Sequence, residues 1–326
     1  MTFSGRIPKL ESLTLSGFVG CPAGLLDNLK HLALKLPLRH PPVLTTTLVD
    51  LLIAAPNVED LSLASFLLII NNSQPSLKAA LPRLRNASLR KCDTVSILPY
   101  IAIPKAAELH ISVDHRTLGS GTDQPPDDRH ILLALPPSLE ARFFPPVPPK
   151  LVIEIDETLS AFAIALTRID STNLWLKVSE CSGRVPLDFV TRSLEAIPHH
   201  VYLKTASNVA ISIPPAVSGV SWSSWFEGFT LATQLSVRAL PAEVVLGALM
   251  RTSGDGLPVC PRLKSIRFHG TESSVVRVDS KSITKLFLFR IAIGFSLERI
   301  TVVDHGVVKD FKPPAWLSDL LGNETD

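Results

Sequence analysis

An α/β fold, with short parallel strands in a row and helices between them, is the class this chain predicts. Three observations carry the prediction. One apolar phrase recurs along the 326 residues, helical patterns bounded by proline or glycine lie between its copies, and 46% of the residues are hydrophobic. That apolar content is enough to bury a continuous core and excludes an intrinsically disordered chain.

The phrase is an apolar residue, two others, then apolar-x-apolar, with a proline two residues ahead of most copies. It reads Leu10, Leu13, Leu15 after Pro8; Leu29, Leu32, Leu34; and Val58, Leu61, Leu63 after Pro56. It returns as Leu84, Ala87, Leu89 after Pro82, and as Ala106, Leu109, Ile111 after Pro104. Two late copies are Leu263, Ile266, Phe268 after Pro261, and Leu297, Ile300, Val302. Successive side chains of a strand point to opposite faces, so the last two apolar residues share one face while the first packs in the turn leading in. One such strand cannot bury its apolar face, but stacked copies form a parallel sheet over a shared core. From Leu13 through Leu32, Leu61 and Ala87 to Leu109 the steps are 19, 29, 26 and 22 residues. Leucine-rich repeats have periods of roughly 20–29 residues. The expected architecture is therefore an irregular leucine-rich-repeat-like solenoid, a single domain over residues 1–326 with parallel short strands and intervening helices.

The helices follow in order. Residues 43–55 come after Pro41-Pro42, stop at Pro56 and place Leu48, Leu51, Leu52 and Ala55 on one face. Residues 187–197 sit between Pro186 and Pro198 with Leu187, Val190, Leu194 and Ile197 at helical spacing. Pro241 suits the first turn of a helix carrying Val244, Val245, Ala248 and Leu249. Residues 158–168 and 280–293 also read as helices, the second stopped by Gly294. Residues 119–150, with Gly119, Gly121, Pro136-Pro137 and Pro145-Pro146, predict an irregular Pro/Gly-rich loop insertion. Residues 151–155, 174–178, 201–203 and 209–213 read as strands without the full phrase, as degenerate repeats rather than an interruption of the solenoid.

Charge and composition bound the function. Basic residues number 32 and acidic ones 30, for a net charge of +2, and aromatics are 6%. There is then no strong field to recruit nucleic acid and no stacking platform for bases. Residues 61–70 are about half a bilayer span and run into Asn71, Asn72 and Pro75. Residues 209–226 are broken by Pro214 and Pro215, so no membrane span is expected. No apolar leader follows Met1, which points to an intracellular protein, cytoplasmic or nuclear. Cys21, Cys92, Cys181 and Cys260 lie far apart with no C-x-x-C pair, and read as reduced thiols rather than disulfides or metal ligands.

Catalytic patterns are thin, since the chain has no G-x-S-x-G, G-x-x-x-x-G-K, G-x-G-x-x-G or H-E-x-x-H. Asp127, Asp128 and His130 read as a solvated loop, His199-His200 as exposed histidines, and Cys181 as a plain thiol beside a turn. Trp222 and Trp225 read as packing residues at a helix entry. No catalytic residue, cofactor or metal site is expected.

The C-terminal third has a recognisable order. Trp222, Trp225, Phe226 and Phe229 lead into Leu235-Ser236-Val237, then a helix, then the strand after Cys260, and residues 290–302 close the run. This order, with the opening phrase of residues 7–15, resembles the leucine-rich regions of the large F-box protein families of mushroom-forming fungi. The resemblance implies a substrate-recognition arm of an F-box type ubiquitin ligase receptor. An F-box docks the adaptor of a cullin ligase, and no F-box phrase stands ahead of Pro8. The adaptor is therefore an expected partner only where an F-box lies upstream.

The function this predicts is a non-enzymatic protein-protein interaction solenoid. A repeat-only scaffold or remnant without a ligase role, and an enzyme with its site in the irregular middle, are the alternatives. Residues beside the buried leucines face the other way, onto the concave side of the sheet. Among them Lys35, Arg90, His110, Arg267 and His269 are long enough to anchor an unknown protein target there.

Overall fold

A computed structural model describes residues 10–17, 26–36, 43–65, 68–69, 78–90, 98–104, 106–114, 131–134, 150–167, 172–179, 184–200, 203–271 and 276–313. It is a mixed α/β structure of mostly parallel sheet and helices, divided into two compact units. The first comprises Met1–Pro145 with Asp170–Val185, and the second Pro146–Ile169 with Pro186–Asp326.

In the first unit, β1 (Ser12–Ser16), β2 (His31–Lys35), β4 (Asp60–Ala64), β7 (Asn86–Arg90), β9 (Glu108–Asp114) and β12 (Thr172–Ser179) lie side by side, every pair parallel. The registers align the repeat leucines: Leu13, Leu32, Leu61, Ala87, Leu109 and Leu174 form one row, and Leu15, Leu34, Leu63, Leu89, Ile111 and Leu176 the next. Turns with the N–H of Leu29, Val58 and Leu84 bonded three residues back bring each strand in, as the phrase predicts. In the β9 copy the residue tucked into the turn is Ala107, fully buried, and not Ala106, which is exposed. Leu13 and Leu15 are only half-buried, and among the described strands β1 ends the row with a neighbour on one side alone.

Small pieces flank this sheet. β3 (Val43–Leu44) pairs with β5 (Leu68–Ile69), and β6 (Ala79–Ala80) with β8 (Ile101–Ala102). Helix α1 (Thr45–Ile53) begins two residues later than its sequence pattern and buries Leu48, Leu51 and Leu52. Of the loop insertion, Ile131–Ala134 form a 3₁₀ turn and Lys150 opens a strand, while the rest, with Asp127, Asp128 and His130, lies outside the described residues.

In the second unit the strand order is β11 (Ala161–Thr167), β10 (Lys150–Ile155), β13 (Asn208–Ser212), β14 (Gln234–Arg238), β15 (Ser265–His269), β16 (Arg299–Asp304), β17 (Val307–Phe311). β10 through β16 are parallel by pairs, with β10–β11 and β16–β17 antiparallel. Two expectations fail here. Residues 158–168 are not a helix: Asp156 turns the chain and Ala161–Thr167 returns as β11. The Asp156 carboxylate accepts from the Thr158 hydroxyl at 2.8 Å and from Ser160, while Leu159 takes a left-handed φ of 58°. The hairpin lets β11 bury Phe162, Ile164 and Leu166, a gain that outweighs the helix propensity of its alanines. The expected strands at residues 151–155, 174–178 and 209–213 are present as β10, β12 and β13, each in a parallel pair. At residues 201–203, Leu203–Thr205 is a 3₁₀ turn rather than strand, and 201–202 lie outside the described residues.

Helices α2 (Leu187–Ala196), α3 (Trp222–Glu227), α4 (Ala242–Leu249) and α5 (Ser280–Ala292) complete this unit. Pro241 caps α4 from just outside its first turn, with ψ 130°, and Leu187 and Val244 face solvent. Asp279 accepts from the Lys281 N–H at the start of α5, and Gly294 (φ 78°) turns its end, letting the Phe295 N–H reach the Arg290 carbonyl at 2.8 Å. Trp222, Trp225, Phe226 and Phe229 pack edge-on or tilted with centroids 4.6–6.1 Å apart, and the Trp225 indole donates to the Leu194 carbonyl at 2.8 Å. Gly228 is required at this junction: a β-carbon there would lie 2.3 Å from Cβ of Pro198.

Candidate interaction faces

Because the leucine rows point inward, the residues between them form rows on the outer face of each sheet, and the registers fix which side chains meet. In the first unit the outermost row is Ser12, His31, Asp60, Asn86 and Glu108. Asp60 holds this row together, His31 Nδ1 lying 2.6 Å from one carboxylate oxygen and the Asn86 amide donating to the other at 2.6 Å. The next row runs Thr14, Ala33, Ser62, Ser88, His110 and Trp175. Small side chains in its first four places leave a depression of about 260 Å³, bordered by Arg90 and His110. Lys35 and Arg90 stand in a third row, on β2 and β7 with Ala64 of β4 between them. Arg90 Nε donates to the Ser88 hydroxyl at 3.3 Å, and His110 Nε2 stands 3.6 Å from Glu108.

At the strand entries the backbone makes a continuous ladder. The N–H groups of Lys30 and His31 reach the Glu11 carbonyl, those of Glu59 and Asp60 reach Lys30, and those of Arg85 and Asn86 reach Glu59. The side chains of the same residues alternate in sign, with Lys30–Glu11 at 3.1 Å and Arg85–Glu59 at 3.4 Å. These exposed pairs neutralise one another and tune register more than stability.

The outer face of the second unit carries a different charge pattern. Its rows are Lys150, Asn208, Gln234, Ser265, Arg299; then Val152, Ala210, Ser236, Arg267, Thr301; then Glu154, Ser212, Arg238, His269, Val303. A depression of about 250 Å³ opens where Ala210, Ser236 and Ser265 are short, with Lys150 and Arg299 at its ends. The imidazole of His269 is held below its ordinary pKa, first by partial burial and then by the positive charges of Arg267 and Arg238.

The structure thus splits the five anchors read from sequence. Lys35, Arg90 and His110 share the face of one unit, and Arg267 and His269 that of the other. Sequence reasoning missed Trp175 and Arg238, and placed Arg299 on the outward side without counting it among the anchors. The signal for Trp175 was Leu174-Trp175-Leu176, an apolar-x-apolar copy with tryptophan in the outward place.

Other chemistry-bearing groups are accounted for by packing. Cys260 is fully buried, donates to the Phe226 carbonyl at 3.2 Å, and burial pushes its thiol up to about 12, the Arg290 guanidinium opposing. It is therefore a protonated thiol at neutral pH. The other three cysteines lie outside the described residues. Beside Trp225 a cavity of about 430 Å³ is lined by Glu195, His199, Ser221 and Ser224, with the two serine hydroxyls 3.1 Å apart. Among the described residues no three His, Cys, Asp or Glu side chains gather at metal-binding distance. No helix among them is long and apolar enough to cross a membrane.

Fold and faces define a class: a mixed α/β protein of mostly parallel sheet whose outer faces carry aligned polar, cationic and aromatic side chains. Compared with known proteins, the chain matches no family model and no curated protein.

Proposed function

We propose that this chain is an irregular leucine-rich-repeat-like solenoid that binds another protein through the outer faces of its sheets, without catalysis. The observation that carries the reading is the in-register alignment of outward side chains, which sets long cationic residues and one tryptophan among short Ser, Ala and Thr neighbours. Tryptophan and arginine are the residue types that most often anchor protein interfaces, and short neighbours give a partner's side chains room between them. The resemblance of residues 7–15 and 222–302 to the repeat regions of fungal F-box proteins supports a role as substrate-recognition arm, with a cullin-ligase adaptor as a partner only where an F-box lies upstream.

Arg90→Glu and Arg267→Glu, singly and together, test the reading. Protein captured by the tagged chain should be lost from the double variant while its thermal melting curve matches the parent. Capture that survives the double change overturns recognition by these faces and moves it to the region of residues 119–149.

A further inference from the structure

Arg238, Arg267 and Arg299 lie on three adjacent strands, β14, β15 and β16. Arg267 pairs in register with Ser236 and Thr301, Arg238 with His269, and Arg299 with Ser265. Each step from one arginine to the next therefore goes one strand across and two residues along. With strands ~4.8 Å apart and ~6.6 Å per two residues, the step is about 8 Å. The three form a diagonal stripe on the exposed face, and none makes an ion pair with a described residue. Among the described strand residues two acids share this face. Glu154 is two strands from Arg238, and Asp310 of β17 is engaged by the Thr301 hydroxyl at 2.6 Å. Beside the stripe, partial burial and then the charges of Arg267 and Arg238 hold the His269 imidazole below its ordinary basicity.

We propose that this face binds an extended acidic segment of a protein partner, with carboxylates at alternate positions seated along the Arg238–Arg267–Arg299 diagonal. The inference rests on the protein-binding reading above and names the partner's chemistry. In an extended peptide, residues i, i+2 and i+4 share one face at ~6.6 Å intervals, close to the arginine step, and long side chains absorb the difference. Consecutive acids point to opposite faces, so a run of adjacent carboxylates presents fewer charges to the stripe. Three charges set about 8 Å apart exceed the reach of one phosphate and suit several separate anions. The neutral floor of Ala210, Ser236 and Ser265 beside the stripe leaves room for the peptide backbone.

The test uses the full chain and two fluorescein-labelled peptides of identical composition, read by anisotropy at low salt. One has the order Gly-Asp-Ser-Asp-Ser-Asp-Gly and the other Gly-Ser-Asp-Asp-Asp-Ser-Gly. The alternating peptide should bind roughly tenfold tighter, and the advantage should shrink as salt screens the pairs. Arg267→Glu should abolish it with an unchanged melting curve, Arg267→Gln should weaken it, and Arg251→Glu, outside the sheet, should leave it intact. Equal affinity for the two peptides, no binding of either, or indifference to Arg267→Glu overturns the proposal. So does tighter binding of a thymidine oligonucleotide or of phosphatidylserine vesicles, which would make the face a general polyanion site. If the peptides fail but capture of protein still depends on Arg90 and Arg267, only the acidic-segment inference falls. If capture also survives the double change, the protein-binding reading falls with it.

Discussion

Replacing Arg290 by methionine should destabilise the second unit more than any substitution on its surface. The side chain is fully buried near the end of α5, and burial lowers the pKa of its guanidinium. It donates to the carbonyls of Val259 at 2.9 Å, Cys260 at 3.0 Å and Pro261 at 3.1 Å. Cys260 sits in the left-handed region at φ 51°, a conformation that a non-glycine residue holds only when its surroundings over-determine it. Methionine fills similar volume but strands the carbonyls of Val259, fully buried, and Pro261, part-buried, each at about 1–3 kcal/mol, and leaves the Cys260 carbonyl with the Leu263 N–H alone. Removing a buried charge returns part of that cost. The net expectation is a loss of about 2–5 kcal/mol, a large share of the ~5–15 kcal/mol that holds a typical domain folded. Arg290→Lys, with one point charge in place of a fork, should fall between parent and methionine. Urea unfolding followed through the emission of Trp222 and Trp225, which pack beside Phe226 and hence beside the Cys260 thiol, reads the change. A methionine variant within about 0.5 kcal/mol of the parent would refute the clamp and reduce the three bonds to incidental contacts.

Leu61→Ala, in the middle of the first sheet, should cost about 2–5 kcal/mol, whereas Leu13→Ala at its half-buried end should cost well under half of that; similar losses in urea titrations would contradict the row model. The Cys260 thiol should be inert to Ellman's reagent at pH 8 in the folded chain, and all four cysteines should react on unfolding without reductant; a folded-state reaction at Cys260 or missing thiols would count against it. His269, monitored by imidazole NMR, should titrate below about 6.5 and move upward in Arg238→Ala. Since its folded pKa is the lower one, the unfolded chain binds the extra proton, so this residue's share of stability is intact above about 6.5 and shrinks as pH falls through the folded value. A His269→Gln variant that declines as steeply over that window would place the effect elsewhere.

Much of the fold is legible in single positions. Leu32, Leu61, Leu109, Ile266 and Ile300 are buried where the phrase puts them, at most 2% exposed. Helices α1 and α2 end just ahead of Pro56 and Pro198, and α5 ends at Gly294, because a missing N–H or a left-handed residue ends a helix wherever it occurs. The candidate faces are legible only in part. Outward positions follow from alternation, which is local, and so Arg267 and His269 could be read from their own strand. That Arg238 lies beside His269 needs the register between β14 and β15, which no single strand contains.

The sequence by itself determined which copies of the leucine phrase are strands with one apolar side, where the proline-bounded helices end, and which side chains of those strands face outward. All of these are set by contacts within about ten residues. Only the tertiary structure decided that Ala161–Thr167 is a strand, since its alanine-rich run acquires that form from the Asp156 turn and from burial against β10. It likewise decided that β12 pairs with β9 although two strands intervene in the chain, that three arginines fall on one diagonal, and that Arg290 closes the turn some thirty residues before it. Pairing partners and buried hydrogen bonds depend on distances between residues far apart in sequence, and a linear pattern carries no record of those distances.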